Sequence, residues 1–139
     1  MDQTAANESA ANEGALPNGR NAAVHAGSIP VALEAVEAAD VVSGDPAQGI
    51  VELGEIGGAE AGIWELRGGT VTDTEVDELF VVLSGGASIE LLSEPGVESD
   101  PSADPRTVEV GPGDVMRLVA GTRTRWTVRD HIRKVYIAG

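Results

Sequence analysis

From Gly49 onward the apolar residues fall into short runs, each bounded by Gly, Pro, Asp or Ser, and no apolar stripe repeats at helical spacing. This pattern predicts strands over residues 49–53, 61–67, 79–83, 88–92, 106–110, 115–119, 124–129 and 132–137. Two-residue periodicity at the third run puts Glu78, Phe80 and Val82 on one face and Leu79, Val81 and Leu83 on the other. Both faces are mainly apolar, so the strand needs cover on two sides. The barrel interior supplies one, and another sheet or a second protomer the other, which makes a homodimer the expected assembly.

Residues 1–28 carry only Leu16 and Val24 as sizeable apolar side chains and are otherwise rich in Ala, Asn, Gly and Glu. So little apolar surface cannot offset the entropy of ordering, and the segment is expected to be a disordered tail ahead of one domain spanning residues 29–139. A short helical turn is predicted near Leu33 to Ala39, and a chain turn at Gly44-Asp45-Pro46. The stretch from Ser93 to Pro105, with three prolines and four acids, reads as an exposed loop between hairpin strands.

Composition narrows the class. A chain of 139 residues, 42% hydrophobic, has room for one core, and 18 glycines with 7 prolines fit an all-β barrel or sandwich. The formal net charge of −14 argues against nucleic acid and against an anionic membrane surface as partners. Six of the nine basic residues (Arg117, Arg123, Arg125, Arg129, Arg133, Lys134) nevertheless cluster late in the chain. Cross-strand pairing with the acidic earlier segments is favoured over an anion site. With no cysteine there is no disulfide and no thiolate chemistry, and the start of the chain has no signal-peptide pattern, so a cytoplasmic protein is expected.

Two segments carry the sharpest signal, TDTEVDELFVVLSG (72–85) and GPGDVMRLVAGTRTRWTV (111–128). Together with GIWE (62–65) and RKVYI (133–137) they resemble the cupin superfamily over about residues 49–137, and most of all its ureidoglycine aminohydrolase-like branch. The resemblance implies a cupin-type β-barrel, also described as a double-stranded β-helix or jelly roll. It also implies an inward Glu78 with Gly85 at the family's spacing. The family's three histidine positions fall on Thr72, Thr74 and Thr124. Neutral hydroxyls compete poorly with water for a divalent transition metal, so no metal and no other cofactor is expected.

If Glu78 faces inward, its expected companions are Thr72, Thr74, Thr124 and Trp126, with Trp64 and Tyr136 as further walls. One carboxylate among hydroxyls and indoles suits a small polar or cationic metabolite, and a buried Glu78 would be a candidate general acid or base. The plainer alternative has Glu78 satisfied by Thr or Tyr hydroxyls, or paired with Lys134. No serine stands in a Gly-x-Ser-x-Gly elbow, Ser84-Gly85-Gly86 reads as a hairpin turn, and His25 and His131 read as solvent-exposed. Three functions follow as expectations: a metal-independent small-molecule-binding cupin, an aminohydrolase-like or isomerase-like enzyme of ureide or amino-acid metabolism, and a non-catalytic scaffold.

Overall fold

The computed structural model describes residues 14–139. Its elements are β1 (Glu34–Ala35), a 3-10 turn (Ala38–Asp40), β2 (Val41–Ile56), β3 (Ala59–Thr74), β4 (Glu78–Gly85), β5 (Ala87–Ser93), β6 (Arg106–Val110), β7 (Val115–Leu118) and β8 (Arg123–Ala138). All pairings are antiparallel, in the order β1-β2-β3-β8-β4-β7, with β5 bridging β8 and β6. Among the described residues no helix is long and apolar enough to cross a membrane.

The barrel forms because β2, β3 and β8, each 16 residues long, run through both of its walls. The later half of β8 lies between β3 and β4, and the earlier half between β3 and β5. The two strands expected over 124–129 and 132–137 are therefore one, and His131 lies within it instead of in a turn. Likewise β4 and β5 do not pair with each other, so Ser84-Gly85-Gly86 is a corner between walls and not a hairpin. The predicted turn at Gly44-Asp45-Pro46 is a bulge inside β2, where the register slips between Gly44 and Ala47.

Between the walls lie Leu66, Val71, Phe80, Val82, Ile89, Leu118, Trp126, Val128 and Ile132. On β4 the alternation holds as far as Val82: Phe80 and Val82 are buried, whereas Leu79 is 41% exposed on the outside. Its register neighbour Ile137 is 50% exposed, and Val115, opposite Val81, is 68% exposed.

Residues 14–28, expected within the tail, are docked, and residues 1–13 lie outside the described residues. Ala15 and Leu16 donate backbone hydrogen bonds to Glu52 and Leu53 on the free edge of β2. The segment then crosses the outer face of β3, where the Arg133 guanidinium donates to the carbonyls of Ala26 (2.9 Å) and Ile29 (2.8 Å). Beneath it lie Ile63 and Glu65, both facing outward and both buried. Burial pushes the Glu65 carboxyl up, but hydrogen bonds and charge from Arg67 (2.6 Å) and Arg133 (2.8 Å) outweigh it and hold the group below its usual value. A segment poor in large apolar residues docks here because backbone pairing and a buried guanidinium supply what hydrophobic burial does not.

Removing residues 1–31 should therefore lower the thermal midpoint by more than ~4 °C relative to a chain starting at residue 14, the shift about 1 kcal/mol gives in a domain of this size. Calorimetry of the two chains measures it, and equal midpoints would show that the segment contributes nothing to stability.

Candidate functional site

Strand β8 supplies the floor of the site. Thr124, Trp126, Lys134 and Tyr136 all project inward from it, because even-numbered positions keep the inward phase on both sides of the unpaired residues Arg129 and Asp130. β3 does not keep its phase. Its register slips between Arg67 and Gly69, at Gly68, whose φ of +79° suits glycine. Before the slip the inward residues are Trp64 and Leu66; after it they are Val71 and Asp73, opposite Trp126 and Thr124.

This one-residue change of phase relocates the site. Thr72 and Thr74 pair with Arg125 and Arg123, on the face away from Trp126, and reach the pocket only at its rim. The Thr74 hydroxyl accepts a hydrogen bond from exposed Arg123 at 2.6 Å. Glu75 takes the interior instead, and Asp73, in the inward phase but exposed, stands at the pocket's mouth. From the sequence, Glu75 and Asp77 neighbour Glu78 but their odd positions are expected to point away from the barrel interior, and Asp73 is given no role; the change of phase at Gly68 reverses that expectation for Glu75.

The pocket encloses about 410 Å³. Trp64 and Trp126 meet edge to face, with ring centroids 5.3 Å apart, and Phe80 lies 5.7 Å from Trp126. Among these three rings sits the Lys134 ammonium, 4.7 Å from the Trp64 centroid, 4.3 Å from Phe80 and 4.9 Å from Trp126. It donates to Glu78 Oε2 at 2.5 Å, with the two side chains only 6% and 9% exposed. Of the two expected fates of Glu78, the ion pair with Lys134 is the one the geometry realises. Similar pairs, Arg133 with Glu65 and Arg125 with Glu90, join other late basic residues to acidic strands.

Glu75 is the second buried carboxylate. Its Oε2 accepts from the Thr124 hydroxyl (2.7 Å) and the Trp126 indole (3.0 Å). Trp64 donates to Gln48 at 3.0 Å. Among the described residues no hydrogen bond uses Oε1 of Glu75 or of Glu78, so each carboxylate keeps one oxygen available to the pocket. Asp73 stands at the mouth. Loss of water around its carboxyl, then the charge of Glu75 and, more weakly, of Asp40, outweigh a backbone hydrogen bond from Thr74 and the charge of Lys134, raising it to about 6. Tyr136 is pushed up by burial and by Glu60, Glu78 and Glu52, so it remains a phenol.

These groups do not fit the metal centre of a cupin. The position of the third histidine is a threonine bonded to Glu75, the retained glutamate is engaged by an ammonium, and the described residues contain no cluster of three or more His, Cys, Asp or Glu suited to a metal ion.

A two-walled antiparallel barrel closed over an inward glutamate on β4 and an aromatic floor on β8 is a cupin. The chain belongs to the EutQ-like cupin domain family, whose model matches residues 53–136. The Clostridium difficile EutQ protein shares the fold at 18% identity, over 79% of each chain, with a TM-score of 0.54. A protein of unknown function from the DUF861 family of Pseudomonas syringae pv. tomato superposes with a TM-score of 0.63 at 16% identity, covering 81% of this chain and 46% of that one. One from Rhizobium leguminosarum bv. viciae, also of unknown function, is 22% identical with a TM-score of 0.51, over 66% of this chain and 79% of that one. No curated protein is significantly similar in sequence to the chain.

Replacing Lys134 by Met should destabilise the fold by about 3–5 kcal/mol, because Glu78 is then buried without its counter-charge. Pairing Lys134→Met with Glu78→Leu should recover most of that loss. Urea unfolding of the three proteins gives the comparison, and a single-variant loss below about 1 kcal/mol would reduce the pair to the value of a solvated one.

Proposed function

We propose that the protein is a metal-independent cupin that binds a small polar metabolite carrying a positively charged amine. The observation that carries this reading is the unequal charge of the pocket. Asp40, Glu60, Asp73, Glu75 and Glu78 line it against Lys134 alone, and Lys134 is already engaged. The free oxygens of Glu75 and Glu78, with Asp73 at the mouth, give an ammonium charge-assisted acceptors, and Trp64 offers it an indole face. A volume of about 410 Å³ suits a compact ligand.

A second reading is an aminohydrolase-like or isomerase-like activity in the same pocket, the reaction class of the ureidoglycine aminohydrolase-like cupins. Asp73 favours it. A carboxyl raised to about 6 exchanges its proton near neutrality, which suits a general acid or base.

We further propose that two copies pair through the outer face bearing Leu79, Val115 and Ile137. Three neighbouring apolar side chains exposed on one sheet face are better covered than solvated. Light scattering at micromolar concentration should give the mass of a dimer, and Leu79→Asp that of a monomer; a monomeric wild-type protein would end this assembly.

Butylamine should bind measurably more tightly than N-butylacetamide in calorimetric titration, since only the amine is charged. The sign of the pH effect follows from Asp73. Its carboxylate is present above about pH 6 and lost below, so amine affinity should fall as pH drops through that value, by roughly tenfold. In Asp73→Asn that dependence should flatten. Equal affinity for amine and amide would exclude recognition by charge.

A further inference from the structure

At the far end of β4 from the pocket, a hydrogen-bonded chain of three side chains lies on the outer surface. Ser84 Oγ is 2.9 Å from His131 Nε2, and His131 Nδ1 is 2.6 Å from Asp130 Oδ2. An ionised carboxylate can only accept, so in the neutral ring Nδ1 carries the proton. Nε2 is then the acceptor, and the Ser84 hydroxyl donates to it. The hydrogen bond from the imidazole holds Asp130 below its usual value, which keeps that carboxylate ionised.

The backbone creates this contact. Two-residue alternation along β4 would turn Ser84 inward with Phe80 and Val82. The register slips between Val82 and Ser84, however, and sets Ser84 opposite outward-facing Arg133 instead of an inward residue. Gly85 follows with φ of +70°, and a Cβ there would collide with the His131 carbonyl. Glycine alone lets the corner close onto His131.

A separate cavity of about 500 Å³ adjoins the chain of three, lined by Gly85, Gly86, Ser88, Arg129, Asp130 and His131 among others, while Ser84 is outside that lining and meets it through His131. Arg129 makes no ion pair among the described residues. Its guanidinium lines the cavity beside His131, a cation for the oxyanion of a tetrahedral intermediate formed at the cavity's edge.

We propose that Ser84, His131 and Asp130 form a nucleophilic site, independent of the barrel pocket, that accepts acyl groups from small esters. Ser84 Oγ attacks the ester carbonyl as His131 Nε2 takes the hydroxyl proton, and Asp130 stabilises the resulting imidazolium. The carbon–oxygen bond to the leaving alcohol breaks, and the alcohol departs with the proton from His131, leaving an ester on Ser84. Water attacks that ester with His131 again as base, releasing the carboxylic acid and restoring the serine. No oxidant, reductant or metal enters the balance. Asp130 is a positioning residue, since it acts through the imidazole.

The test is incubation of the full chain with p-nitrophenyl acetate, followed by peptide mass spectrometry and by the release of p-nitrophenol. Acetyl should appear on Ser84 and not on Ser88. Ser88 lines the same cavity but donates to the Glu109 carboxylate at 2.5 Å and has no imidazole partner, so it serves as an internal reference in the same folded molecule. Acetylation of Ser84 should slow at least about a hundredfold in His131→Gln, the smaller effect usual for loss of a general base. Asp130→Asn should slow it less. Equal acetylation of Ser84 and Ser88, or an unchanged Ser84 rate in His131→Gln with an unaltered thermal midpoint, would overturn the proposal and leave the three side chains a hydrogen-bonded strand corner.

Discussion

Strand β8 is hydrogen-bonded along both edges for nearly its whole length, and the molecule is organised by that constraint. One of its edges belongs to β3 except at Arg129 and Asp130, while the other passes from β5 to β4. Over the stretches paired on both edges, 123–127 and 132–138, such a strand has few free backbone groups to rearrange, so its inward positions there are fixed in space. Thr124, Trp126, Lys134 and Tyr136 are fixed with them, and the pocket floor is as rigid as the ladder that holds it. Adjustment falls to its neighbours. β2, β3 and β4 all slip register against their partners, and each slip re-aims the side chains beyond it.

Lys134 shows what rigid placement makes affordable. An ammonium taken from water loses several kcal/mol of solvation, and one carboxylate seldom makes that good. Here three ring faces stand within 5 Å of the nitrogen and the Glu78 carboxylate accepts a hydrogen bond from it. Rings held by the core contribute quadrupole attraction at little further entropic cost, since their rotamers are fixed by packing. The pair is thus supported by Trp64, Phe80 and Trp126, residues that also hold the two walls together.

The wall segments were legible because strand-forming runs and glycine boundaries are local signals. β6 matches its expected bounds, and the exposed stretch between β5 and β6 lies where three prolines put it. Glu78, Trp126, Trp64 and Tyr136 were legible for the same reason, since each lies on a segment whose phase can be counted without interruption. The turn of Thr72 and Thr74 toward the rim of the pocket was not. The cupin resemblance set them beside Glu78, but residues 75–77 are outside any strand, and the inward phase of β3 is reset earlier, at Gly68. A bulge is a tertiary decision: it depends on which partner the strand must satisfy, and no pattern of apolar residues records it. The docked segment from residue 14 escaped for a related reason, because backbone acceptors for Arg133 leave no hydrophobic signature.

A charge carried on a lysine differs from a charge carried by a bound ion in its bookkeeping of matter. A dissociable ion is subject to supply, competition and chelation, and a centre built on one exists as a mixture of filled and empty molecules. The Lys134 side chain is made when the chain is made and is present in every copy, paired with Glu78. At this site one thing that does vary from one molecule to the next is the proton on Asp73 at the mouth of the barrel, whose carboxyl is raised to about 6.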